Sequence, residues 1–232
     1  MSGFRGFWNG LDWSVLTDML FSVLPALLCV TLHELSHGLA AYCLGDDTAK
    51  RDGRLSLNPL RHIDWMGLAM MVVFHFGWAK PVRVDMRRFT KVSPKTGMAL
   101  TAAAGPLCNL LLSALLLFVY GLLYRPLART GASFASVALR MVATTSYLSL
   151  AMGLFNLIPI SPLDGSKVLF AFLPPAQYEK LMRYERYGMI LLLVAVATGI
   201  LRTPLSSAAD WLFDRMNVLV RLGAAVWSGV AG

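Results

Sequence analysis

The sequence predicts an all-α polytopic membrane protein: a three-helix core, two further C-terminal helices, and a short re-entrant or β-hairpin segment near residues 65–85. Three observations carry this class. Of the 232 residues, 56% are hydrophobic and 15% are charged, against about 25% charged in a soluble domain. Mean hydropathy is +0.59. The apolar residues also gather into runs that reach the ~20 residues needed to cross hydrocarbon. The net charge of +8 fits retention of basic loops at the cytoplasmic membrane face. No basic block interleaved with aromatics is present, so nucleic acid is not an expected partner. Cys29, Cys43 and Cys108 stand alone, with no C-x-x-C between them. They suggest neither a disulfide framework nor a cysteine metal site, and buried packing thiols are expected. One membrane-embedded domain over 1–232 is expected, with its core at about 13–170 and C-terminal helices at about 187–226.

Residues 1–12 form a short lead with Phe4, Phe7 and Trp8, and with Trp13 they suit the membrane–water interface. The first apolar run is too long for a signal peptide and is read as retained. It predicts a helix from about Trp13 to Leu44, kinked at Pro25 and ended by Gly45-Asp46-Asp47. Inside it lies His33-Glu34-Leu35-Ser36-His37. Positions i and i+4 share one helix face, so two imidazoles can meet one metal ion. Glu34 sits beside them, able to reach a water without becoming a ligand. That is the zinc-hydrolase pattern: two His ligands, a carboxylate base and an open coordination position. The bland alternative is a chance pentapeptide whose histidines line a helix. Ionisable groups deep in an apolar span are costly and usually functional, which favours the metal. His37 lies about two turns before the helix end, so the site sits roughly 10 Å below one membrane surface.

Residues 45–64 are polar, and the alternation around Arg54–Leu57 predicts a short strand. His62 is expected to be a loop hydrogen-bonder, since nothing stands at ligand spacing from it. Trp65 to Trp78 is apolar but too short to span. Basic residues flank it on both sides, so a crossing would place one basic loop outside, against the positive-inside rule. A re-entrant segment or edge hairpin is expected, whose edge could pair with an extended substrate.

Gly97 to Tyr124 predicts the second span. Small residues Ala102-Ala103-Ala104-Gly105 allow close helix contact. Asn109 has two open readings, an interhelical hydrogen bond or a contact in the site. Phe134 to about Ile158 predicts the third span. It is broken by Pro159 and Pro162, after which Asp164 stands in a turn beside Gly165. Asp164 is the best candidate for a third metal ligand. Chain parity supports it: the first helix ends on the basic side, the second leaves from that side, and the third returns to it. Tyr187 to Leu201 and about Leu205 to Val226 predict two more helices. Asp210, Asp214, Arg215 and Arg221 show no ligand spacing and read as interfacial.

Taken in order, His33-Glu34-x-x-His37, Gly105-Pro106-x-x-Asn109 and Asn156-x-x-Pro159-x-x-Pro162-x-Asp164-Gly165 resemble the site-2 protease family of intramembrane zinc metalloproteases. Leu57-Asn58-Pro59-x-x-His62-x-Asp64 and Gly77-Trp78-Ala79-Lys80-Pro81-Val82 resemble the connecting segment of its short bacterial and archaeal members. The resemblance covers roughly residues 30–170. It implies zinc on His33, His37 and Asp164, and cleavage within or near a substrate's transmembrane segment. It also implies that Asn156, eight residues before the Asp, contacts the substrate backbone. Asn156 and Asn109 are thus the candidate substrate-binding residues, Glu34 the catalytic one, and Zn2+ the cofactor. Ser166 replaces a second Gly found in many members, a change expected to be tolerated. No PDZ or CBS module is visible.

The resemblance also implies the partners. Relatives process single-span proteins such as anti-sigma and pro-sigma factors, and remnant signal peptides, and the sequence does not choose among them. The expected setting is the cell membrane, with the site opening toward the cytoplasm. Two other classes fit less well. A degenerate binding or escort protein would not need every chemical role filled. A metal transporter would need several acidic residues along a path, which the other spans lack.

Overall fold

The computed structural model describes residues 13–67 and 80–227. Helix α1, Trp13–Cys43, carries Pro25 inside it. It ends where Gly45 turns the chain at φ +110°; a Cβ there would lie 2.2 Å from Thr90 Oγ1, so only glycine fits. The short α2, Thr48–Arg51, follows at once. The expected strand at Arg54–Leu57 does not form; those residues are bends and coil. Local hydrogen bonds compete with any ladder there. Ser56 N–H donates to the Arg54 carbonyl, Arg61 reaches back to the Gly53 carbonyl, and Arg54 donates to the Arg61 carbonyl. Most of the anticipated re-entrant or hairpin segment, like the aromatic lead at 1–12, lies outside the described residues. Among the described residues there is no strand, only an isolated bridge position at Ile63, and 80–85 run as extended coil.

Helix α3, Pro94–Thr130, starts on a Ser93 cap with proline at its first turn and ends on left-handed Gly131. It is longer than the 97–124 expected, because the cap lies further upstream and the helix runs on through Pro126 to that glycine. Helix α4, Ser133–Asn156, returns alongside it. Their contact is made of small and hydroxylated residues. Ser146 Oγ donates to the Ser113 carbonyl at 3.0 Å and Ser149 Oγ to the Asn109 carbonyl at 2.8 Å. The opposite face of α3 shows Leu107, Leu111 and Leu115, 52%, 70% and 58% exposed. Polar residues inward and leucines outward is the arrangement expected where the solvent is lipid.

Four shorter or less apolar helices follow among the described residues: α5, Asp164–Phe170; α6, Pro175–Arg183; α7, Glu185–Ala197; and α8, Arg202–Ala225. Helices α1, α3 and α4 are long and apolar enough to cross a membrane; α7 and α8, bent by 81° at their break, make a fourth crossing if counted as one. Helix α8 leans on α3 where Gly223 and Gly121 meet the opposite backbone. Cys29 is buried, as expected, but Cys43 is exposed and Cys108 only half-buried.

Candidate active site

His33 and His37 lie on the inner face of α1, 4% and 8% exposed, with their rings edge to face and centroids 4.6 Å apart. Asp164 reaches them from α5. After α4 ends, Pro159 and Pro162 prevent its continuation, and Leu163 is extended before Asp164 opens α5. The turn closes because Gly165 packs against the end of α4; a Cβ there would lie 2.1 Å from the Leu157 carbonyl. Asp164 Oδ2 then stands 3.1 Å from His33 Nε2 and 3.2 Å from His37 Nε2, and the two Nε2 atoms are 3.0 Å apart. Burial would raise the Asp164 carboxyl, but the two imidazoles that face it outweigh burial and hold it well below the usual carboxylate range.

These spacings fit a metal ion. Zinc–ligand bonds of ~2.0–2.1 Å in tetrahedral geometry place donor atoms about 3.3 Å from one another. Among the described residues this trio converges closely enough to share one ion. Room above it is provided by Gly105 on α3, where a Cβ would come within 2.4 Å of His37 Nε2 and 2.7 Å of His33 Cε1. His37 Nδ1 donates to the Thr101 carbonyl at 2.7 Å, which leaves its Nε2 lone pair for a ligand.

The trio opens on a cleft of about 270 Å³, lined by Glu34, Val82, Thr101, Asn156 and Lys167 among others. Glu34 is half-buried, and its Oε2 accepts the Val82 main-chain N–H at 2.9 Å. Val82 belongs to the extended 80–85 segment, which crosses one wall as a strap. Lys80 N–H donates to the His62 carbonyl at 2.9 Å, and Asp85 N–H donates to Asp46 Oδ2 at 2.7 Å. Asp46 is fully buried, and its other oxygen accepts Thr48 N–H at 2.9 Å. It thus fastens the strap to the end of the helix bearing both histidines. The sequence reasoning missed this. The Asp46-x-Thr48 pattern marks an Asx turn, yet nothing in it points to residue 85, and Val82 acts through its backbone.

Asn156 lines the cleft, its Nδ2 donated to the Met152 carbonyl at 3.0 Å. Of the two readings of Asn109, the contact present is the interhelical one: the residue is fully buried behind His33, its amide 3.3 Å from His33 Nδ1. It is not among the residues that line the cleft. His62 donates from Nε2 to the Ser56 carbonyl at 2.8 Å and stands apart from the trio, as expected of a loop hydrogen-bonder. Ser166 is buried and gives its hydroxyl to the Leu163 carbonyl at 2.7 Å.

The family model for peptidase family M50, the site-2 protease family, matches residues 21–201. The chain belongs to that family. YwhC of Bacillus subtilis, named as a candidate zinc metalloprotease, is 37% identical over 84% of this chain and 86% of its own length. Rip2 of Mycobacterium tuberculosis, named likewise, is 30% identical over 86% of this chain and 75% of its own. The zinc metalloprotease MJ0392 of Methanocaldococcus jannaschii is 29% identical over 71% of this chain and 36% of its own. No solved structure matches. As an M50 member the protein is a membrane zinc metallopeptidase, and the His-His-Asp trio supplies the donor chemistry that its cofactor needs.

Proposed function

We propose that this M50 peptidase hydrolyses peptide bonds within or beside the transmembrane segment of membrane-anchored substrates. The single observation that carries the proposal is the meeting of His33, His37 and Asp164 at the floor of a cleft that Glu34 also faces. His33, His37 and Asp164 would hold the zinc. When bound, zinc supplies Lewis acidity, polarising the scissile carbonyl and acidifying water.

Glu34 takes the proton of the attacking water and passes it to the leaving amine. The Val82 N–H fixes one of its oxygens, so the other faces the reaction with a defined orientation. A membrane helix keeps its carbonyls in hydrogen bonds, so the substrate must unwind before it enters. The strap and α3 leave between them a slot for an extended chain, and Asn156 stands in that slot to hold its backbone.

The site lies close to the end of α1 from which the basic loops leave, which supports a cytoplasmic opening in the cell membrane. Single-span proteins fit as substrates, and anti-sigma factors, pro-sigma factors and remnant signal peptides are the classes to try. The test is Glu34→Gln in liposomes with a reconstituted substrate. Zinc content should stay at wild-type level while cleavage disappears; retained turnover would refute the assignment of the base.

A further inference from the structure

Helix α8 carries charge at a depth where lipid offers no partner for it. Tyr147 sits near the middle of α4, roughly 14 Å from its Asn156 end and roughly 21 Å from its Ser133 end at the helical rise. Its hydroxyl donates to Asp210 Oδ1 on α8 at 2.9 Å, and its ring meets that of Phe213 edge to face, centroids 5.4 Å apart. Further along, Gly223 closes on the Phe118 carbonyl, and Trp227 Nε1 donates to the Leu122 carbonyl at 2.7 Å. Phe118 and Leu122 are well inside α3, roughly 12–18 Å short of its Thr130 end. Residues 210–223 therefore run beside two spanning helices through the hydrocarbon, not along its rim.

The side of α8 that meets the bundle is small and closely packed, with Ala209 and Gly223 buried. The other side is charged. Asp210, Asp214, Arg215 and Arg221 are all exposed, and so are Trp211, Val218 and Leu222, at 62%, 44% and 54%. The Arg215 guanidinium stands over the Trp211 ring, 5.5 Å from its centroid. Among the described residues no hydrogen bond or ion pair holds Asp214. Arg221 lies near the C-terminal end of α8, where a long side chain can extend to water. Asp214 is short, one turn beyond Asp210, and cannot. Ionised groups facing lipid tails are costly, and in spans they pair with one another or line a wet path.

Lipid tails answer neither charge. A single-span substrate with one counter-charge would answer Asp214 or Arg215 and leave the other bare. A second copy of the chain answers both. Asp214 and Arg215 are successive residues, so they differ in depth by only about 1.5 Å and point to the left and right of one helix face. A copy related by a two-fold axis along the membrane normal presents the same two groups at the same depth. Across such a contact left meets right, so acid meets base twice. We propose that two copies of this chain meet in the membrane through this face of α8. Asp214 of each copy pairs with the partner's Arg215, around a centre of Trp211, Val218 and Leu222. The face lies away from the His-His-Asp trio, so each copy keeps its own cleft.

The test counts chains in lipid. Full chain carrying one fluorophore is placed in liposomes at rising protein-to-lipid ratio, and photobleaching steps report the fraction of dimer. Wild type should pass from one step to two as density rises. Asp214→Arg puts two cations on each face and Arg215→Asp two anions. Each variant alone should therefore dimerise about tenfold or more weakly, because like charges now meet. Reconstituted together, the two are complementary, and two-colour co-localisation should return to the wild-type level. Circular dichroism and zinc content, both unchanged, establish that the variants fold. If a reversed charge prevents folding, Arg215→Gln takes its place and should also dimerise more weakly. A wild-type chain that bleaches in one step at every density overturns the proposal, whether lipid, water or a substrate segment then covers the face. Undiminished dimers in the folded variants overturn it too, as does a mixture of the two charge reversals that stays monomeric.

Discussion

A single methyl group on Gly105 would sit 2.4 Å from His37 Nε2, inside the space that a metal's ligand shell requires. Gly105→Ala should therefore cost most of the bound zinc, while circular dichroism shows the helices unchanged. Full zinc content in that variant would mean that the donors are looser than the structure shows. The contrast with Asn109 is instructive about what single residues disclose. His33, His37 and Glu34 were legible because their chemistry is written in five residues at helical spacing. Asp164 was legible because two prolines and a glycine mark a break and parity puts the break on the right side. Asn109 was not. A lone amide in an apolar span looks the same whether it faces substrate, another helix or the back of a ligand, and only the packing of α3 on α1 decides.

Among the elements, the strap at 80–85 owes its position to partners distant in sequence. Removing the Asp46 carboxylate leaves the N–H groups of Asp85 and Thr48 without their partner, and an unpaired buried donor costs about 1–3 kcal/mol. Asp46→Ala should lower stability by about 2 kcal/mol in thermal unfolding. It should also slow cleavage while leaving one zinc per chain, since the strap touches Glu34 and not the trio. Unchanged turnover would show that Glu34 does not depend on the strap. The failed strand at Arg54–Leu57 has the same lesson in reverse. Alternating basic and apolar residues suggest a ladder, but the guanidinium groups of Arg54 and Arg61 satisfy nearby carbonyls first. Main-chain donors such as Val82 N–H leave no mark in a sequence at all, whereas the long apolar helices, set by composition over many residues, were placed close to their ends except at the C-terminus of α3, which runs on past the expected Tyr124 to Thr130.

For the molecule as a whole, the helices divide into a core that holds the site and a flank that leans on it. Helices α1, α3 and α4 with the start of α5 supply the trio and its backing. Helix α8 meets α3 well away from it, at Gly121 and Gly223, where a Cβ on Gly223 would come within 2.2 Å of the Phe118 carbonyl. Gly223→Val should cost roughly 1–3 kcal/mol through forced separation of the two helices and leave zinc affinity at its wild-type value. Loss of zinc would show that the flank and the core are one mechanical unit.

The central claim is that donors from two separate helices share one zinc ion at the floor of the cleft. Zinc K-edge X-ray absorption on the purified protein addresses it directly. The account predicts one zinc per chain with a light-atom shell at ~2.0–2.2 Å from two imidazoles and carboxylate or water oxygen, and loss of that shell in Asp164→Ala. Sulfur scatterers near ~2.3 Å, or a shell unchanged in Asp164→Ala, would contradict it.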